Sequence, residues 1–208
     1  MNRPPSPAAT ERPSGPAGAR AFEAVVIGAS AGGIEVLNVL LPALPAGFGA
    51  VVLIVTHLPA DSPSHLVQTF TGRCALPVVE PDAGEPLRPA HVYVAPPAYH
   101  MLVDDDRTVA LSIDAQVRFS RPSIDVLFES AAHAYRERLL GILLSGANDD
   151  GTAGLEALRA QGGTAWVQAP DSAASPVMPR TAIEHHAADE VLSPAAMARR
   201  LADLPVFS

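Results

Sequence analysis

Lysine is absent from this 208-residue chain, because all 14 of its basic residues are arginine. That absence removes the phosphate-gripping lysine of P-loops, the Schiff-base lysine and the Ser-Lys dyad. Against 22 acidic residues the formal net charge is −8 at pH 7. Nucleic-acid affinity comes from neutralising phosphates, so this balance argues against nucleic acid as a partner. Cysteine is nearly as scarce: Cys74, the single one, can form neither an internal disulfide nor a thiolate zinc site. Aromatic residues make up only 5% of the chain, and with no cluster to join, Trp166 and Tyr135 read as packing residues. No apolar run approaches the roughly 18 to 20 residues that a membrane-spanning helix needs. The first 20 residues also lack the apolar stretch of a secretory signal. The expectation is a cytoplasmic protein without membrane insertion.

What remains is a chain that is 48% hydrophobic, long enough for one substantial core and short for two. Residues 1–20 are rich in Pro, Ala, Gly and Ser and carry little that could be buried, so they are expected to be a disordered leader. From residue 22 onward the character changes. Residues 22–27 and 50–55 are continuous apolar runs rich in β-branched side chains, which suit strands covered on both faces. Residues 34–41 between them read as a helix, giving a strand–helix–strand unit. Further on, helices are expected at 63–71, 123–138 and 152–161, after Pro179, and at 194–204. Strands are expected at 76–80, 91–95, 100–103, 108–112, 139–144 and 164–167, with Asp104, Asp105 and Asp106 forming a solvated hairpin turn. The fold class is therefore α/β, a doubly wound, mostly parallel sheet with helices on both faces and a β-hairpin insertion.

Ligands meet such sheets at the carboxyl ends of strands, where helix N-termini present free amides. Three strand ends carry unusual residues: GASAGG after the first, THLP after the second, and SGANDDG after the strand at 139–144. Ser30, His57 and an aspartate, either Asp149 or Asp150, thus fall on one edge, the inventory of a nucleophile, its base and an orienting carboxylate. Amides beginning at Ala31 could stabilise an oxyanion. The segment is not the G-x-S-x-G elbow of α/β-hydrolases, and the order Ser, His, Asp differs from theirs. Two blander readings stay open for residues 28–33: a nucleotide loop, although Ser30 replaces the middle glycine of G-x-G-x-x-G, and a purely structural turn. His57 alone could be a packed histidine, and Asp149 and Asp150 could be N-caps of the helix at 152–161. His185 and His186 are not expected to bind metal, since neighbouring helical positions diverge by about 100° and no carboxylate completes a ligand set.

Six segments, in order, carry a resemblance to a known family: VVIGASAGGIEVL, THLP, HVYVAPPAYHM, SRPSIDVLFESAA, LLGILLSGANDDGTAGLEALRAQGG and VMPRTAI. Together they resemble the catalytic domain of the chemotaxis protein-glutamate methylesterases of the CheB type, covering nearly all of residues 21–208. The resemblance implies a cofactor-free serine hydrolase that demethylates glutamate methyl esters on cytoplasmic helices of chemoreceptors, releasing methanol, and that in family members also deamidates receptor glutamines. By motif position it implies Ser30 as nucleophile, His57 as general base and Asp150, rather than Asp149, as the orienting carboxylate. It places oxyanion donors near Ala31 and Ala147.

The chain departs from the family pattern at three points. Ala147-Asn148 stands where Met-Gly is common, and Thr56 where a glutamine commonly precedes the histidine. Family members also typically carry an N-terminal phospho-receiver domain, whereas only the leader precedes the first strand here, so gating by aspartyl phosphorylation within this chain is not expected. An alternative reading is therefore a signalling interaction module that keeps the fold with weakened turnover.

Overall fold

The computed structural model describes residues 22–57 and 65–204. The leader expected at 1–20 and the start of the helix expected at 63–71 lie outside the described residues. Seven strands form one parallel sheet: β1 (Ala24–Ala29), β2 (Val51–Thr56), β3 (Val78–Val79), β4 (Val92–Val94), β7 (Leu139–Leu143), β8 (Thr164–Gln168) and β9 (Glu190–Leu192). A separate antiparallel hairpin joins β5 (His100–Val103) to β6 (Val109–Ser112) across the three aspartates. The helices are α1 (Gly33–Leu40), α2 (Leu66–Phe70), α3 (Ile124–Tyr135), α4 (Thr152–Ala160), α5 (Val177–Glu184) and α6 (Pro194–Ala202). None of the described helices is long and apolar enough to cross a membrane.

The continuous apolar runs are explained by burial on both faces. Every residue of β1 and β2 is buried, and alternate side chains serve opposite layers. Val25, Ile27, Val52 and Ile54 pack with Leu37 and Leu40 of α1 and with Met197 and Leu201 of α6. Ala24, Val26, Leu53 and Val55 face Leu127 and Phe128 of α3, Leu155 and Leu158 of α4, and Met178 of α5. Trp166 belongs to the first of these layers and Tyr135 to the second.

The strand order is β3-β4-β2-β1-β7-β8-β9, so the chain builds outward from β1 in one direction and then in the other. Connections leaving the carboxyl ends of β1 and β7 diverge, which opens a crevice between them, the place where doubly wound sheets hold ligands.

Several boundaries differ from the sequence reading for local reasons. The helix expected to reach residue 138 stops at Tyr135, where Arg136 adopts a left-handed φ of 52° and a 3-10 turn follows. The helix expected after Pro179 begins earlier, at Val177, with the proline inside its first turn. A proline is tolerated there because its missing N–H would have no intrahelical partner. The three-residue strand β9 was not anticipated, and the strand expected at 76–80 shrinks to Val78–Val79.

Candidate active site

Three loops at the carboxyl edge of the sheet converge. Ser30 follows β1, His57 follows the neighbouring β2, and Asp150 closes the loop after β7 on the other side of β1. Backbone bonds lock the loops to the strands: His57 N–H donates to Ala29 O at 3.1 Å, and Ser30 N–H donates to Ser145 O at 2.9 Å. Ser30 Oγ lies 3.2 Å from His57 Nδ1, and His57 Nε2 lies 2.8 Å from Asp150 Oδ2. An ionised carboxylate only accepts hydrogen bonds, so Nε2 carries a proton. In the neutral ring Nδ1 is then the acceptor, and the Ser30 hydroxyl donates to it.

Asp150 is fully buried and accepts four hydrogen bonds. Oδ2 takes His57 Nε2–H and the Ile124 amide at 2.8 Å each, while Oδ1 takes Ser123 Oγ–H at 2.9 Å and the Asp125 amide at 3.0 Å. Burial pushes its pKa up, but the bond from His57 and the two amides outweigh that and hold the carboxyl below its ordinary value. The amides belong to the first turn of α3, so the carboxylate also sits at the positive end of that helix.

The reading of Asp149 or Asp150 as a cap for the helix that follows is corrected here. The N-cap of α4 is Gly151, at φ 95° with no side-chain cap, and Asp150 serves the N-terminus of α3 instead. The carboxylate that serves α4 comes from α3: Asp125 Oδ1 accepts the amides of Gly151 at 2.8 Å and Gly154 at 2.7 Å. Burial and the neighbouring Asp150 charge raise the Asp125 pKa to about 6, against the Gly154 amide and Arg118. Arg118 bridges Asp125, at 3.2 Å, and Asp149.

The loop that carries Ser30 has its own support. Ser145 Oγ donates to Ala31 O at 2.6 Å, and the Ser145 amide donates to Oε1 of buried Gln168 at 2.8 Å. Gly32, at φ 77°, has no room for a side chain, since a Cβ there would lie 2.5 Å from that of Ala174. That glycine therefore serves contact between chain segments, which weakens the reading of residues 28–33 as a phosphate cradle. Ala31 and Ala147 are exposed beside Ser30. Among the described residues, neither of their amides has a backbone acceptor, whereas the Gly146 amide donates to Ser175 O at 3.0 Å.

Ser123, Asp125, Ser145 and Gln168 were not singled out in the sequence. An Asp in a first turn ordinarily reads as a complement to its own helix dipole, and no local pattern shows that it faces a second helix. His185 and His186 lie away from these loops. His185 pairs with Glu156 at 3.3 Å, and His186 occupies the turn after α5 at φ 56°.

The CheB methylesterase family model matches residues 25–201. A Leptospira interrogans chain provisionally named protein-glutamate methylesterase/protein-glutamine glutaminase is 45% identical over 172 residues, 83% of this chain and 89% of that one. A protein of that name from Symbiobacterium thermophilum is 42% identical over 170 residues, 81% of this chain but only 46% of its own length. The crystal structure of the Thermotoga maritima CheB methylesterase catalytic domain has a TM-score of 0.84 and 29% identity, covering 89% of this chain and 100% of that one.

Proposed function

Because the chain belongs to the CheB methylesterase family, we propose that Ser30, His57 and Asp150 form a catalytic triad that hydrolyses glutamate methyl esters on a protein. The observation that carries this reading is the pair of hydrogen bonds at 3.2 and 2.8 Å that links the three side chains across three separate strand ends. The alternative of an interaction module without turnover gives no reason for His57 to be oriented between a hydroxyl and a fully buried carboxylate.

The proposed mechanism uses these three groups. Ser30 Oγ attacks the ester carbonyl carbon while its proton passes to His57 Nδ1, and Asp150 stabilises the imidazolium through Nε2–H. Backbone amides of Ala31 and Ala147 are the proposed donors to the oxyanion. Collapse of the tetrahedral species breaks the bond to the methoxy oxygen, which takes the Nδ1 proton and leaves as methanol. Water then attacks the acyl-serine, giving its proton to His57, and the second collapse frees the glutamate carboxyl and restores Ser30. A glutamine side chain presents the same acyl carbon with ammonia as leaving group, so deamidation is proposed to use the same groups. No step calls for a cofactor. The proposed substrates are cytoplasmic helices of methylated chemoreceptors, and that would place the protein in the cytoplasm.

Methanol release from methylated receptor membranes tests the reading. The intact protein should release methanol and Ser30→Ala should not; undiminished release by the variant would remove Ser30 as the nucleophile.

A further inference from the structure

The large hydrophobic side chains left exposed are unevenly distributed. Of the seven among the described residues, Ile34, Tyr99, Ile113, Phe119 and Val177 lie in loops or first helical turns at the carboxyl edge of the sheet. Phe119 is the extreme case at 95% exposed, and Ile113, at 71%, precedes it in the same β6–α3 loop.

That loop is held in place. Val117 and Ser120 exchange backbone hydrogen bonds at 3.1 and 2.8 Å, and the two residues between them, Arg118 and Phe119, both adopt left-handed φ values of 49° and 63°. Tight hairpin turns of this form ordinarily use Asn and Gly, because a side chain is disfavoured there. Arg118 ties the turn to Asp125 and Asp149, Arg121 Nη1 donates to the carbonyls of Ile113 and Asp114, and His100 Nε2 donates to Ala115 O at 3.1 Å. None of these tethers uses the side chain of Phe119 or Ile113. A pinned and unfavourable backbone thus keeps an aromatic ring in water, one residue along from Arg118, which pairs with Asp149 just before Asp150. Behind the turn, Leu102, Val117 and Val126 line a recess of about 240 Å³. Strain maintained beside a site points to a role, and a rigid aromatic contact loses little entropy on binding.

We propose that Phe119, with Ile113, is a docking point for apolar side chains of the helical segment that carries the scissile ester. This extends the esterase reading and rests on it. The occupant is the substrate because any protein whose side chain reaches Ser30 must lie across this edge, and an amphipathic helix offers apolar residues one turn to either side of the ester.

The test uses the full chain and three esters. Two are helical peptides, each with one glutamate γ-methyl ester, flanked at i−4 and i+4 by leucines in one and by serines in the other. The third is N-acetylglutamate γ-methyl ester, too small to reach Phe119. Unmodified protein should favour the leucine peptide by about tenfold in kcat/KM, with the difference in KM, as for one buried aromatic contact. In Phe119→Ala the preference should collapse to within about twofold, and Phe119→Leu should restore part of it. Equal preference before and after substitution overturns the proposal while leaving the esterase reading intact, provided the small ester is still hydrolysed in a Ser30-dependent way. A uniform loss on all three esters also overturns it, since that outcome reports damage to the site. If the unmodified protein hydrolyses none of the three, the esterase reading itself has failed and this proposal falls with it.

Discussion

At the scale of single residues, Asp150 shows why two adjacent aspartates are not equivalent. Asp149 is half exposed and pairs with Arg118 at the surface, whereas Asp150 is fully buried among four donors. Asp150→Asn would replace one acceptor oxygen by an amide that must face a donor, either a backbone N–H of α3 or the ring of His57. If the ring turns over or changes tautomer to relieve that conflict, Nδ1 no longer accepts the Ser30 proton. The expected outcome is a fall in kcat of about 10³ to 10⁴ with KM little changed, by analogy with triads in which the carboxylate is neutralised. Steady-state kinetics on methylated receptor membranes would check it, and a variant within tenfold of the unmodified enzyme would show that the carboxylate is dispensable. Spacing alone could put Ser30 and His57 on one edge but left Asp149 and Asp150 unresolved. What separates them is which one accepts the amides of α3, a relation between residues more than twenty positions apart that no local pattern reports.

At the scale of elements, the N-termini of α3 and α4 face each other, and a carboxylate inside the first turn of α3 and another just before α4 each serve the opposite helix. Asp150 accepts amides of α3, and Asp125 accepts amides at the start of α4. The arrangement satisfies helix-terminal donors that would otherwise be buried without partners. Two carboxylates so close do not ionise equally readily: the Asp150 pKa is held down, and that of Asp125 is raised to about 6. A carboxyl whose folded-state pKa is raised binds its proton more readily in the folded chain, so it contributes stability as pH falls from above 6 towards its unfolded value near 4. Asp150 has the opposite sign, and its contribution is lost only below that unfolded value. Between pH 7 and 4.5 the unmodified protein should therefore gain stability relative to Asp125→Asn, by on the order of 1 to 3 kcal/mol. Urea unfolding of both proteins across this range measures the difference, and parallel pH profiles would show that Asp125 titrates normally. Helix α3 itself was legible in the sequence, expected at 123–138 and found at Ile124–Tyr135. The pairing of two helix ends was not, because Asp125, inside the first turn of α3, reads as a complement to its own helix dipole, and Asp150, just before Gly151, reads as a cap for α4. Strand β9 was missed for a different reason: three residues, Glu190–Leu192, are too few to show any period.

At the scale of the whole molecule, the parallel sheet separates chemistry from scaffold. All strands of the large sheet run the same way, so their carboxyl ends share one edge and their amino ends the other. This polarity was legible in the sequence, because doubly buried apolar runs alternating with helices admit few other architectures. The amino edge has a polar cluster of its own, which was not legible in the sequence because its members lie far apart along the chain. Glu23, just before β1, pairs with Arg107 at 2.8 Å and with Arg138, and Arg107 stacks 4.8 Å above the ring of Tyr135. Burial pushes the Tyr135 hydroxyl up to about 12, so it stays neutral at physiological pH. Glu23 and Ser30 bracket the whole of β1, a separation of about 23 Å at roughly 3.3 Å per residue. Ion pairs whose arginines are half exposed contribute modestly even though Glu23 itself is largely covered, so Glu23→Gln should lower stability by about 1 kcal/mol. The same substitution should leave kcat on methylated receptor membranes within about twofold, because charges that far apart are screened beyond a Debye length of about 8 to 10 Å. A lower urea midpoint with unchanged kcat is the expected result. A parallel fall in kcat would mean that the two edges of the sheet are coupled, and that the division between scaffold and site is less complete than the topology implies.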